Sequence, residues 1–344
     1  MTKDNNTWDI SQARIRKFEN EVLKSVLPYA RFSETKMFGS PNFSPNSFKA
    51  KISSVNIFKD SIYEYKGDGN FIHFTSLFAL NSILESGYLR MSEFGNLIDQ
   101  NELTYGAQVF EGIKDYQKNL QILNNFKENV FSLSACQSSE NTMKDPYLWQ
   151  TYGDKGNGVV IEYSFTNMNL VNYIFGNIQY GKVGLLPLEK IKSLSDKFKT
   201  ENDDFFPENF LELIIEMESF HKAMKFSEEK EVRLIFKNDI SLKYNHNPIF
   251  RDINSTRDIK NFLKIFLKGR NPEYTNANMD SVGEDFFCNF FPQIEIKRII
   301  FGFGISVEKK VNFMHYFNDI KTKYNYIYEL WQMNDEQEIF KMRQ

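Results

Sequence analysis

Short β-like runs, separated now by a helix and now by a turn, constrain the fold of this chain more than any other feature. Phe71-Ile-His-Phe-Thr75 is the first, and helical spacing follows at once. Ser76 is placed to cap a helix through Leu77, Leu80, Ile83 and Leu84, with Gly87 at its C′ position. Tyr88-Leu-Arg-Met91 and Val130-Phe-Ser-Leu-Ser-Ala135 are the next runs, with helical spacing between them through Leu103, Val109, Ile113 and Tyr116. Pro146 opens a short helix at Tyr147-Leu-Trp-Gln-Thr-Tyr152, and Gly153, Gly156 and Gly158 turn the chain into Val159-Val-Ile-Glu-Tyr163. A long amphipathic helix is predicted from Glu208 to Met224. After it, Glu231-Val-Arg-Leu-Ile-Phe236 alternates as a strand does, and strands are predicted at 296–303 and 327–331. Strands and helices interleaved without a regular crossover order predict an α+β fold.

The first sixty residues read differently. Ser11 is positioned to cap a helix through Ile15, Phe18, Val22, Leu23 and Val26 that ends before Pro28, and a polar loop follows at 40–47. The expected organisation is an N-terminal helical extension over 1–60 and one domain over 61–344. With 34 Phe and 17 Tyr among 344 residues, material for a packed core is abundant and disorder is disfavoured.

A net charge of −3 argues against tight, non-specific grip on duplex nucleic acid, because the basic clusters Lys268-Gly-Arg270 and Lys309-Lys310 are short. Cys136 and Cys288 are far apart and form no disulfide framework, which fits a reducing compartment. His73, His221, His246 and His315 lack metal-ligand spacing, so no metal is expected. The start, Met1-Thr-Lys-Asp-Asn-Asn, leads into no signal-like apolar core, and no stretch approaches the ~20 apolar residues of a spanning helix. The expected location is the cytoplasm, away from membranes.

Three constellations could carry chemistry. On the first strand, His73 and Thr75 share a face with Phe71, a semi-polar surface suited to lining a cleft. If Glu229-Lys-Glu231-Val-Arg233 is extended, both carboxylates and the guanidinium form one row, either a solvated charge ladder or an anionic patch for a cationic transition state. Ser132 and Ser134 share a strand face, and Trp149 and Tyr152 lie three apart on a short helix, so they pack as core or offer faces to a flat ring.

The order of these motifs resembles a large bacterial family of uncharacterised domains that opens on His-Tyr-Thr-Ser. The matching elements are His-Phe-Thr-Ser76, Gly-Tyr-Leu-Arg90, Phe131-Ser-Leu-Ser134, Trp149-Gln-Thr-Tyr-Gly153, Glu229-Lys-Glu-Val-Arg233 and Ile296-Lys-Arg-Ile-Ile-Phe-Gly302. They span roughly residues 70–305. That family usually carries Asn-Asp-x-x-Glu after its second strand; here Ile98 replaces the Asn, while Asp99 and Glu102 remain. The family in turn resembles the ADP-ribosyltransferase superfamily, a split β-sheet that clamps NAD⁺.

The resemblance implies roles. Glu231 would hold the nicotinamide ribose and stabilise an oxocarbenium-like sugar. His73 would bind the adenosine ribose, with Thr75 beside it. Ser134, or Ser132, would orient the ribose or Glu231; Tyr152 or Trp149 would stack on nicotinamide; Glu229 would orient or deprotonate the acceptor. Arg90 would meet the pyrophosphate, and Arg233 would join Thr75 among the residues that bind NAD⁺. The implied activity is transfer of ADP-ribose from NAD⁺, without metal, to an intracellular protein or nucleic acid, in a bacterial toxin or anti-phage effector. Water as acceptor would make the protein an NAD⁺ glycohydrolase. A non-catalytic nucleotide sensor, with a regulatory partner docked on the N-terminal helices, is a third possibility.

Overall fold

In the computed structural model, which describes residues 3–33, 51–52, 56–96, 103, 116–166, 173–202, 210–237, 249–253, 259–270, 292–324, 326, 328–334 and 336–342, the alternating runs become strands. The loop read at 40–47, the acidic element at 98–102, Val109, Ile113, His246 and Cys288 lie outside the described residues. In chain order the elements begin with α1 (Lys3–Glu21), β1 (Phe32–Ser33), β2 (Lys51–Ile52), β3 (Asn70–Thr75), α2 (Leu77–Ser86) and β4 (Tyr88–Glu93). Next come α3 (Tyr116–Asn129), β5 (Val130–Gln137), α4 (Glu140–Met143), α5 (Pro146–Thr151), β6 (Val159–Phe165), β7 (Tyr173–Asn177) and β8 (Gln179–Tyr180). Then follow α6 (Gly181–Glu201), α7 (Phe210–Glu218), β9 (His221–Lys222), β10 (Glu231–Lys237), β11 (Ile249–Ile253) and β12 (Ile259–Phe266). The series closes with β13 (Ile294–Phe301), α8 (Val307–Tyr324), β14 (Glu329–Met333) and β15 (Ile339–Lys341).

Eleven of these strands form one mixed sheet in the order β11-β12-β4-β5-β3-β6-β13-β14-β15, with β10 and β7 attached beside β5. This is an α+β arrangement. β5 is its hub, pairing antiparallel with β10 from Val130↔Lys237 to Cys136↔Glu231. On its other edge it pairs with β4 at Phe131 and Ser132, and with β3 at Cys136 and Gln137. Between those contacts Leu133, Ser134 and Ala135 have no strand partner on that edge among the described residues. β3 swings away to β6 and β4 to β12, so the sheet splits at Ser134. Both β3 and β4 run antiparallel to β5, so α2 crosses over between strands of like direction. It is capped as the sequence predicts, with Ser76 Oγ accepting from Ala79 N–H at 3.1 Å and Gly87 left-handed at φ 75°.

Helices cover both faces. α2 and α8 bury Leu80, Leu84, Phe313 and Phe317 against Phe71, Leu133, Ile161 and Leu234. The opposite face meets α1, α6 and α7 through Phe18, Leu188, Ile191 and Phe210, packed on Ile174 and Ile235. A third cluster sets Leu148 and Trp149 of α5 on Ile72, Phe74, Val160 and Ile300. The strands predicted at 296–303 and 327–331 shift by two residues, to Ile294–Phe301 and Glu329–Met333, and two helix ends move further. The first helix begins at Lys3 instead of Ser11, so Ser11 is interior to it. Its Phe18 ring packs edge-on against Phe198 and Phe210, both at 5.1 Å, within the core shared with the sheet. The helix predicted to end at Met224 stops at Glu218, because Ser219 and Phe220 turn the chain into β9.

Candidate active site

Register fixes which side chains meet. Cys136 faces Glu231, Ser134 faces Arg233 and Ser132 faces Ile235 across β5 and β10, so these six share one face of the sheet. Glu231 is 5% exposed. Ser134 Oγ donates a hydrogen bond to its Oε1, and Arg233 reaches the same oxygen through Nε and Nη2 at 2.8 Å each. Lys222 Nζ lies 2.5 Å from Oε2, and the backbone N–H of Glu231 donates to Tyr180 OH at 2.8 Å. Burial pushes the Glu231 carboxyl up, but the Arg233 and Lys222 charges and the Lys222 and Ser134 hydrogen bonds outweigh it and hold the pKa at about 2.

Glu229 departs from its predicted place. It ends a 3₁₀ turn, Met224–Glu229, instead of continuing the strand, and Lys230 follows in the left-handed region at φ 45° and ψ 45°. That conformation costs a non-glycine residue about 1–2 kcal/mol. It folds Glu229 back toward the cluster, where the carboxylate accepts from Tyr152 OH and from Lys222 Nζ at 2.8 Å. Lys222 therefore bridges both carboxylates. Tyr180 and Lys222 arrive together because β8 and β9 pair in parallel, Tyr180 opposite Lys222. His221 anchors that pair: it is buried, with Nδ1 2.9 Å from the Met217 carbonyl and Nε2 against the Gly184 carbonyl. Cys136 is no nucleophile here, since burial and the two nearby carboxylates raise its thiol to about 12.

The other sequence candidates divide. Ser132 is buried, and its Oγ has no partner among the described residues, so Ser134 is the serine that orients Glu231. Arg233 is 1% exposed, gives Nη1 to the Ser219 carbonyl at 2.6 Å and lies over Phe94; it supports Glu231 and has no free face for a ligand. Trp149 belongs to the core. Its indole N–H bonds the Met143 carbonyl at 2.6 Å and its ring meets Phe74 edge-on at 5.2 Å, which leaves Tyr152, 43% exposed, as the ring beside the carboxylates. The glycine turn serves close packing: a Cβ on Gly158 would stand 2.3 Å from the Thr75 carbonyl oxygen.

His73 and Thr75 are partly exposed on β3. Ile72 pairs with Cys136, which puts Ile72 on the Glu231 face and His73 on the reverse face, one residue past the point where β3 leaves β5. Burial lowers the His73 pKa to about 4, so it is a neutral hydrogen-bonding group at ordinary pH. Arg90 is on β4. Ser92 pairs with Ser132, so Arg90 shares the Glu231 face, across the split. Among the described residues no group of three His, Cys, Asp or Glu is arranged to hold a metal, and no helix is long and apolar enough to cross a membrane.

Lys222 was invisible to sequence reasoning: it lies in no motif, and only the β8–β9 pairing brings it to the carboxylates. Replacing it with methionine removes a cation that lowers the Glu231 pKa and leaves two acids side by side. The acid limb of any Glu231-dependent rate is expected to move up by about 1–3 pH units, checked by a pH–rate profile, with Lys222→Arg restoring it.

The architecture defines an α+β protein with a split mixed sheet and a buried glutamate bonded by a half-buried serine. A family model described as a protein of unknown function (DUF2971) matches residues 148–234, from α5 through Glu229, Glu231 and Arg233 to the middle of β10. No curated protein and no solved structure matches the chain.

Proposed function

We propose that the protein cleaves NAD⁺ at the nicotinamide–ribose bond and transfers the ADP-ribosyl group to a macromolecule, as an ADP-ribosyltransferase. The observation that carries this reading is the hydrogen bond from Ser134 to Glu231 beside the opening of the sheet. A carboxylate held ionised and oriented there suits the stabilisation of positive charge developing at a sugar carbon.

The C1′–N bond electrons leave with nicotinamide, which departs neutral, so no general acid is required. Glu231 stabilises the cationic ribosyl group and accepts a hydrogen bond from its 2′-hydroxyl. Ser134 and both Arg233 donors bond Oε1, whereas Oε2 receives Lys222, so Oε2 keeps a lone pair for that hydroxyl. The acceptor's lone pair attacks C1′, and its proton passes to Glu229. Tyr152, exposed beside both carboxylates, offers a ring face to nicotinamide.

One observation favours a second reading, a nucleotide-binding module without turnover: two cations already compensate Glu231. The deciding measurement incubates the full chain with NAD⁺ labelled in its adenylate and with cell extract. Nicotinamide release with label on a macromolecule is the expected result. Release with all label in free ADP-ribose would mean hydrolysis, and binding without release would mean the sensor module.

A further inference from the structure

Both ring nitrogens of His221, a side chain only 2% exposed, face carbonyl oxygens. Nδ1 lies 2.9 Å from the Met217 oxygen of α7, and Nε2 lies against the Gly184 oxygen in the first turn of α6. Tyr63 OH is also 3.3 Å from Nε2. A neutral imidazole has one N–H and one bare lone pair, so it cannot donate to both carbonyls; an imidazolium can. With Nδ1–H on Met217, a neutral ring accepts at Nε2 from the Tyr63 hydroxyl, and the same lone pair repels the Gly184 oxygen. One proton therefore decides whether Nε2 holds Gly184 or Tyr63.

Gly184 is tied to the carboxylates. It packs so closely on Gln179 that a Cβ would stand 3.0 Å from the Gln179 carbonyl carbon. Gln179 pairs with His221, and Tyr180 with Lys222. Tyr180 OH then accepts from Glu231 N–H, and Lys222 bridges Glu229 and Glu231. Charged groups on the packed elements turn elsewhere. On α7, Glu216 pairs with Lys237 and Glu218 presents its backbone to the ring; on β9, Lys222 points to the carboxylates; on α6, Lys182 is exposed. We propose that His221 is a positioning residue whose imidazolium form clamps α6 to α7 and holds Tyr180 and Lys222 at the two carboxylates, so that the site tightens on acidification. Resting on the NAD⁺ reading above, ADP-ribosyl transfer then gains from acid while Glu231, with its pKa at about 2, stays ionised. Burial lowers the His221 pKa, against the opposing pull of the Gly184, Met217 and Glu218 backbone, which puts the change on the acid side of the ordinary imidazole value.

An NMR titration of the full chain from mildly basic to acidic pH tests this, reading the His221 ring nitrogens and the Glu231 amide. Both nitrogens are expected to carry protons in acid, and the Glu231 amide to strengthen its bond to Tyr180 with the same midpoint. Tyr63→Phe removes the donor to neutral Nε2 and should raise that midpoint by about 0.5–1 pH unit, the worth of one hydrogen bond. His221→Gln keeps a donor and an acceptor but does not titrate, so its Glu231 amide should stay flat. A ring that titrates without moving the Glu231 amide would overturn the clamp, as would a single N–H at every pH. An amide that still titrates in His221→Gln, or a midpoint that does not rise in Tyr63→Phe, would overturn it too. If His221→Gln fails to fold, wild type and Tyr63→Phe decide between them. Nicotinamide release separates the two readings. Coupled titration in a protein that never cleaves NAD⁺ leaves the clamp standing and the transferase reading fallen. Cleavage at a rate indifferent to the ring midpoint, with the Glu231 amide unmoved, does the reverse.

Discussion

Glu231→Gln is expected to lower nicotinamide release from NAD⁺ by about 10²–10³-fold, the scale associated with removing one preorganised electrostatic group from a transition state. Glutamine keeps the volume and can still accept from Ser134, so the loss isolates the charge. The contrast sharpens because Glu231 is ionised far below neutral pH, with its pKa held at about 2. No pH in the working range restores a neutral carboxyl for comparison. The comparison needs a folding check, since the amide leaves Arg233 and Lys222 short of their counter-charge. A Glu231→Gln variant that is folded, binds NAD⁺ and cleaves it at the wild-type rate would refute the catalytic assignment.

The largest effect on stability is expected at Arg233. Its guanidinium is 1% exposed and holds Glu231 and the Ser219 carbonyl together. Arg233→Met fills much of the same space but leaves the buried Glu231 with Lys222 as its remaining cation and the Ser219 carbonyl without its donor, and breaking a buried pair in this way costs about 3–5 kcal/mol. Denaturant unfolding should show it as a lower midpoint with an unchanged slope. The pH dependence has a definite sign. Glu231 has a folded pKa depressed from 4.5 to about 2, so its pairing contributes stability fully above about pH 4.5 that fades as pH falls toward 2. Without Arg233 the folded pKa rises and that contribution shrinks. Arg233→Lys keeps a charge without the fork and should fall between the two.

Strands with strong alternation were legible before any coordinates. Phe71–Thr75 and Glu231–Phe236 appear as β3 and β10 within a residue or two, because every second side chain meets a core. The α2 caps were legible for a similar reason: Ser76 and Gly87 act locally. Long-range pairing was not. The spacing of Glu229 and Glu231 suits a continuous strand, and the left-handed Lys230 breaks it without a glycine to announce the turn. The apolar spacing through Phe220 and Met224 imitates a longer helix, although Phe220 belongs to the core under β9 and Met224 is exposed. Trp149 and Tyr152 look equivalent in sequence; only the packing of Phe74 and the Met143 carbonyl separates a core ring from an exposed one. Lys222 carries no signal, since it acquires meaning from strands distant in sequence.

The divergence of β3 from β4 also has a consequence for amide protons. β5 lies well inside an eleven-stranded sheet, where deuterium uptake would ordinarily be slow along its whole length. Leu133, Ser134 and Ala135 have a ladder partner on the β10 side alone among the described residues. Backbone groups aimed the other way resemble those of an outermost strand, so the midpoint of β5 should take up label sooner than its ends. A molecule lodged in the gap would reverse that order, slowing exchange in the middle of the strand before anywhere else.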